Sequence, residues 1–160
     1  MHTARIGIFG ASGYAGMELT RLVSAHGQLK VSFLASERHV GTSVEQFTGV
    51  TGPVGRMSYV GFEDAKKLAA ECEAVFLATP AEVSLALTSE LLSKNVKVVD
   101  LSGAFRLSDL DAYKKYYGHS APSAELQAKA AYGMPELFRA SVKGSSFVAN
   151  PGCYPTAATL

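Results

Sequence analysis

The sequence predicts an α/β fold built on a doubly wound parallel sheet, and three observations carry that prediction. Four short runs, Arg5 to Phe9, Val31 to Ala35, Ala74 to Ala78 and Val96 to Leu101, are rich in β-branched residues and nearly all apolar, as strands are when helices cover both faces. Between them lie stretches with helical spacing: Leu19, Leu22, Val23 and His26 in one, and Val83, Leu87, Leu91 and, on a neighbouring row, Leu92 in another. Alternation of strand and helix is the pattern of βαβ units. The first strand also runs straight into a glycine-rich turn that feeds a helix from Met17 to Ala25.

Composition narrows the class. The 160 residues fit one ordinary domain, and 48% hydrophobic with 18% charged residues exclude disorder as the main state. Lys+Arg 15 against Asp+Glu 14 leaves a formal charge of +1, so there is no sequence-wide basic field for a phosphate backbone or an anionic membrane. Neither nucleic acid nor a membrane is an expected partner. Cys72 and Cys153 are too few and too far apart for a disulfide framework. No run of about 18 apolar residues appears, and Ile6-Gly7-Ile8-Phe9 is too short for a signal-peptide core. The expectation is a cytoplasmic chain with reduced thiols and no metal site.

Along the chain, Gly41 to Gly61 holds five glycines and Pro53 and reads as loop with one or two short strands. Asp64 to Glu71 reads as a short helix with Lys66 and Lys67 on its solvated face. After Leu101 come Ser102-Gly103-Ala104-Phe105-Arg106, a helix from Asp109 or Asp111 to Tyr117, and an Ala-rich loop with His119 and Pro122. Tyr132 to Glu136 reads as a structural turn and Ser146 to Ala149 as one more strand.

The turn after the first strand is Gly10-Ala11-Ser12-Gly13-Tyr14-Ala15-Gly16, a G-x-x-G-x-x-G variant of the dinucleotide fingerprint. Glycines let the backbone close tightly and approach a pyrophosphate, while the helix N-terminus offers free N–H groups and the positive end of its dipole. Its position after the first strand and before a helix and a second strand makes the fold Rossmann-like. At the end of the second strand stands Ser36-Glu37-Arg38-His39. Glu37 lies near the offset of the acid that binds the ribose hydroxyls of NAD, but the flanking Ser36 and Arg38 suit a 2′-phosphate. The predicted cofactor is NADP, held by Gly10, Ser12, Gly13, Tyr14, Ala15, Gly16, Ser36 and Arg38, with Ala78, Thr79 and Pro80 after the third strand.

The second motif is Asn150-Pro151-Gly152-Cys153-Tyr154-Pro155. A strand end, then Cys, then Pro155 at an expected first helical position puts the sulfur near a helix N-terminus, where the dipole favours a thiolate. Backbone N–H groups of Gly152 to Tyr154 stand where they can meet an oxyanion. The Pro-Gly-x-x-Pro turn argues against burial. Cys72, in a helix-like stretch, reads instead as a small buried residue.

The Gly10 to Gly16 turn, Val75-Phe76-Leu77-Ala78, Val99-Asp100-Leu101-Ser102-Gly103-Ala104-Phe105-Arg106-Leu107, Tyr132-Gly133-Met134-Pro135-Glu136 and Ala149 to Thr156 together resemble, in order, the N-terminal part of N-acetyl-gamma-glutamyl-phosphate reductase. The resemblance runs from Arg5 to Leu160, and its last block is the most specific. It implies NADPH-dependent reduction of N-acetylglutamyl 5-phosphate to the semialdehyde in arginine biosynthesis, with Cys153 as nucleophile and phosphate as leaving group. A related reductase for carrier-bound aminoadipyl or glutamyl phosphate shares the cysteine turn, and a fragment that only binds NADP is the non-enzymatic alternative. Aspartate-semialdehyde dehydrogenase resembles the chain less, having Asn-Cys-Thr where Gly152-Cys153-Tyr154 stands.

Ser102, Arg106, Asn150 and Gly152 are the expected substrate-binding residues, with Arg106 either clamping an anion or pairing with Asp100 or Asp109. Where many members have Pro-His-Gly-Val-Ser, this chain has Pro80-Ala81-Glu82-Val83-Ser84. The resemblance places the general acid/base histidine beyond residue 160, since none of His2, His26, His39 or His119 matches it. Residues 1–149 are then the dinucleotide domain and 150–160 the start of a truncated catalytic domain, with a homo-oligomer implied for the full-length enzyme.

Overall fold

A computed structural model describes residues 2–117 and 121–160; His119 lies outside the described residues. The chain divides into two compact units, Met1–Ala78 and Thr79–Leu160.

In the first unit β1 (Ala4–Phe9), β2 (Leu29–Ala35) and β3 (Ala74–Leu77) run parallel in the order β2-β1-β3. The chain passes from β1 outward to β2 and then crosses to the other side of β1. The winding therefore reverses at β1, and in such sheets ligands bind outside the carboxyl ends of the strands at that reversal. Ile6, Gly7, Ile8 and Phe9 are all buried, which is why their run is apolar without alternation. Helix α1 (Tyr14–Ser24) turns Gly16, Thr20 and Val23 inward along one row. Ile6, Ile8, Ala11, Val23, Leu34, Val44 and Tyr59 form the core beneath it. Phe9 meets Phe33 and Phe62 edge-on, with ring centroids 5.3 and 5.2 Å apart.

Two expectations change here. Helix α1 begins at Tyr14 rather than Met17, because the turn closes at Gly10 and Gly13 already serves as N-cap. The Gly41 to Gly61 segment folds into two one-turn helices, α2 (Glu45–Thr48) and α3 (Gly52–Gly55), and its strand character is limited to single bridges, Ser43 with Ser58 and Ala35 with Val60. Gly49, at φ 66°, ends α2 in the left-handed conformation that glycine adopts without penalty. Helix α4 (Phe62–Ala69) leads into β3.

In the second unit β4 (Lys97–Asp100), β5 (Ala131–Tyr132) and β6 (Phe147–Ala149) run parallel in the order β4-β6-β5. They are accompanied by α5 (Ala81–Ser93), α6 (Leu110–Tyr117), α7 (Ala124–Ala128), α8 (Pro135–Gly144) and α9 (Cys153–Thr159). The Ala-rich stretch expected as loop contains α7, whose first turn is capped by the Ser123 hydroxyl accepting from the Leu126 N–H. Asp109 caps α6, its Oδ1 accepting from the N–H groups of Asp111 and Ala112. The expected turn at Tyr132 to Glu136 joins β5 to α8. Among the described residues no helix is long and apolar enough to cross a membrane.

Candidate functional site

In the first unit the predicted residues converge on the end of β1. Gly10 takes φ 75° and its carbonyl accepts from the Gly13 N–H at 3.1 Å. A Cβ on Gly16 would stand 2.3 Å from the Gly10 oxygen and 2.7 Å from Ala11 Cα, so only glycine lets α1 pack onto its own turn. A Cβ on Gly13 would stand 3.4 Å from the same oxygen, an ordinary contact. Because Gly13 is the N-cap, no side chain caps α1 and no acid lies in its first turn. The first N–H groups of a helix have no acceptor within it. The α1 N-terminus therefore presents free donors and a positive dipole end beside a turn kept open by missing side chains, which fits a pyrophosphate.

The neighbouring strand ends close in on that turn. Ala11 N–H donates to the Ala35 carbonyl and Ala78 N–H to the Phe9 carbonyl, each at 2.9 Å, bringing the ends of β2 and β3 beside it. The Ser12 and Ser36 hydroxyls lie 2.6 Å apart, tying the turn to the residue after β2. Ser36 is buried, whereas Arg38 and Tyr14 are exposed. Glu37 has a different job: its carboxylate accepts the N–H of Phe62, the first residue of α4. The acid that an NAD site would direct at ribose is here engaged at a helix start.

In the second unit the cysteine turn is braced from a distance. Cys153 is exposed and is the first residue of α9, with Gly152 as N-cap; Cys72 is buried, and burial pushes its thiol up. Pro155 is thus the third helical residue rather than the first. Gly152 is extended, and its carbonyl accepts from both the N–H (3.1 Å) and the hydroxyl (2.9 Å) of Thr156, which starts the helix two residues early. Proline costs nothing at that place, since its N–H would lack an intrahelical partner anyway.

Arg106 does not ion-pair with Asp109, and its guanidinium reaches carbonyls instead. Nε donates to the Asn150 oxygen at 2.8 Å and Nη2 to the Leu101 oxygen at 2.6 Å. Nη1 would be 3.0 Å from a Cβ on Gly152, so any side chain there would displace it. Arg106, Asn150 and Gly152 are therefore assembled around the cysteine turn, with Nη1 on the Gly152 side.

Sequence reasoning passed over the group that organises this turn. Asp100, at the end of β4, is fully buried; Ser102 donates its hydroxyl to Oδ2 at 2.7 Å and its N–H to Oδ1 at 3.2 Å. The Ser102 oxygen in turn accepts from the Ala104 N–H at 3.0 Å. The Ser84 hydroxyl lies 2.9 Å from the Thr79 hydroxyl. Burial pushes the Asp100 carboxyl above its ordinary value, while Ser102, Ser84 and the charge of Arg106 pull it back down. An Asp closing an apolar strand, two residues before a Ser, was the available signal. The described histidines are engaged elsewhere: His2 with Glu73, His26 Nδ1 accepting from the Gln28 N–H, and His39 against the Phe47 ring.

The model of the semialdehyde dehydrogenase NAD-binding domain matches residues 5–145. This chain belongs to that family. Within it, an N-acetyl-gamma-glutamyl-phosphate reductase from Magnetococcus marinus is 44% identical over 99% of this chain and 45% of its own length. The enzyme of that name from Aquifex aeolicus is 40% identical over 99% of this chain and 46% of its own. The chain thus spans less than half the length of these curated relatives. Among solved structures, aspartate semialdehyde dehydrogenase II from Vibrio cholerae superposes with a TM-score of 0.67 at 20% identity, over 96% of this chain and 43% of that one. The Candida albicans aspartate semialdehyde dehydrogenase, solved with NADP, gives 0.65 at 16% identity over 97% and 44%. These two likenesses carry the fold. The chain is a semialdehyde dehydrogenase NAD(P)-binding domain related to N-acetyl-gamma-glutamyl-phosphate reductase.

Proposed function

We propose that the protein carrying this chain reduces N-acetyl-L-glutamyl 5-phosphate to N-acetyl-L-glutamate 5-semialdehyde with NADPH, releasing phosphate, in arginine biosynthesis. Similarity to reductases of that name along nearly the whole chain carries the reading. An exposed cysteine at a helix start, braced by an arginine, supports it.

The Cys153 thiolate attacks the acyl carbon; a C–S bond forms and the bond to the phosphate oxygen breaks, leaving a thioester. N–H groups at the start of α9 meet the oxyanion, and Arg106 Nη1 offers charge to the departing phosphate or to the substrate carboxylate. Ser102 orders the turn that carries Arg106, and Asn150 and Gly152 set the approach to the sulfur. The α1 N-terminus with Gly10, Ser12, Gly13, Tyr14, Ala15 and Gly16 holds the pyrophosphate, Ala78, Thr79 and Pro80 flank the nicotinamide half, and Arg38 takes the 2′-phosphate. Bound there, NADPH would supply the hydride that takes the thioester carbon to the aldehyde level, after which the C–S bond breaks to release the semialdehyde and return the Cys153 thiolate. Glu37, committed to α4, leaves the phosphate-bearing ribose to Arg38 and Ser36, which favours NADP over NAD. Residues 1–149 are assigned to cofactor binding and 150–160 to the start of the catalytic part.

In the full-length enzyme, Cys153→Ser lowers phosphate-dependent NADP reduction with N-acetylglutamate semialdehyde by roughly 10³-fold or more, with NADPH affinity unchanged. Retained turnover in that variant removes Cys153 from the mechanism.

A further inference from the structure

The turn from Leu101 to Arg106 carries its charge on backbone held at three places. At its start Ser102 bonds the buried Asp100 carboxylate and accepts from the Ala104 N–H. In its middle a Cβ on Gly103 would stand 2.6 Å from the Tyr117 ring, which lies directly over the glycine. At its end the buried Phe105 ring meets Phe147 edge-on, with centroids 4.7 Å apart, and the Phe105 carbonyl accepts from Gln127 Nε2 at 2.8 Å. Gln127 comes from α7, 22 residues further along the chain. Ser123 fixes that short helix, its hydroxyl accepting from the Leu126 N–H and its carbonyl from the Gln127 N–H.

The Phe105 carbonyl belongs to the same planar peptide unit as the Arg106 nitrogen, so a bond that fixes this oxygen also fixes the direction in which Arg106 leaves the chain. The guanidinium spends Nε on the Asn150 carbonyl and Nη2 on the Leu101 carbonyl. Because the group is planar, Nη1 is then aimed toward Gly152, the residue before Cys153. Gln127 is 9% exposed, and its Oε1 is buried with no hydrogen-bond partner among the described residues. A buried acceptor left unmet costs the fold stability, and an apolar side chain of the same length would avoid that cost. What the amide adds is the donor at Phe105.

We propose that Gln127 is a positioning residue that, by holding the peptide between Phe105 and Arg106, keeps the Arg106 guanidinium aimed at an anionic group of the substrate that reacts at Cys153. The proposal rests on the reading of Arg106 and Cys153 above and adds a residue that touches neither substrate nor sulfur. Without the amide the peptide plane is free to rotate, and small displacements of a charge beside a reacting atom are enough to weaken its action.

The test is alkylation of the full-length protein with iodoacetate, an anion, and with its neutral counterpart iodoacetamide, each rate read at the Cys153 peptide by mass spectrometry. Both reagents form a C–S bond, release iodide and react with the same thiolate, so the ratio of their rates cancels the thiolate fraction and leaves the pull on negative charge. Arg106→Ala lowers the iodoacetate-to-iodoacetamide ratio about threefold to fivefold, the scale of one unit charge lost a few ångströms from an anion in water. Gln127→Met fills the same space without changing the net charge; it lowers the ratio about twofold or more, and in an Arg106→Ala background it lowers it no further. Gln127→Asn keeps an amide but draws it back by one methylene; it gives the same fall and decides should Gln127→Met not fold. A ratio unchanged in the Gln127 variants overturns the proposal, as does a fall that persists without Arg106. If Arg106→Ala itself leaves the ratio unmoved, Arg106 is no anion site, and this inference fails with that part of the reading. If the ratios move as expected but the wild-type enzyme does not turn over N-acetylglutamate semialdehyde, the substrate reading fails and the positioning of Arg106 by Gln127 stands.

Discussion

The glycine turn after β1 and the cysteine turn after β6 use the same backbone device, a strand end that opens a helix N-terminus, and they stabilise it in opposite ways. At the glycine turn the work is local: Gly10 supplies the left-handed corner, Gly13 the N-cap and Gly16 the close approach, all within seven residues. Helix α1 then anchors itself through three buried residues. At the cysteine turn α9 is seven residues long with none buried, and the strand end before it is held by Arg106, 44 residues ahead of the Asn150 carbonyl it bonds. A turn made from missing side chains leaves room for a ligand. A turn held by a side chain brings a charge with it.

Substitutions that attack one device and spare the other sharpen this contrast. The largest effect is expected from Gly16→Ala, where the new Cβ meets backbone at 2.3 Å; it destabilises the chain by ~1–3 kcal/mol in urea melts and weakens NADPH binding by more than an order of magnitude. Next comes Arg106→Lys, which forfeits the fork that holds the Leu101 and Asn150 carbonyls; a loss of roughly 1–2 kcal/mol and unchanged NADPH affinity are expected, read by the same melt and by fluorescence titration. Unchanged stability there dismisses the brace. Arg38→Ala leaves the melt where it was but raises the Kd for NADPH about tenfold while sparing NADH, in keeping with one exposed charge on a phosphate. Smallest of all is Gly13→Ala, within about 0.5 kcal/mol of wild type, because its Cβ has room; a large loss there contradicts the steric account of the turn.

The strands of the first unit were legible because burial on both faces leaves an apolar run that only a covered sheet explains. Element starts were less so. Helix α1 begins at Tyr14 and α9 at Cys153, each earlier than side-chain pattern suggests, because the signal is the extended N-cap glycine and not the first apolar residue. The segment from Gly41 to Gly61 reads as loop and strand in sequence, since its one-turn helices are too short to show a period. Among the candidate site residues, Gly10, Gly16 and Cys153 stand out in sequence because spacing and turn chemistry mark them. Nothing in the spacing foretold that Arg106 would spend its donors on two carbonyls or that Glu37 would cap α4.

By itself the sequence determined the parallel α/β class, the glycine turn that feeds a helix, and an exposed cysteine near the start of another. These follow from backbone sterics and from the period of apolar residues, both of which act between near neighbours in the chain. Only the tertiary structure decided where the long-range polar groups go: Ser12 to Ser36, Glu37 to Phe62 and Arg106 to Asn150. The physical reason is that a buried donor or acceptor must find a partner, and which partner it finds is settled by the packing that brings distant strand ends together.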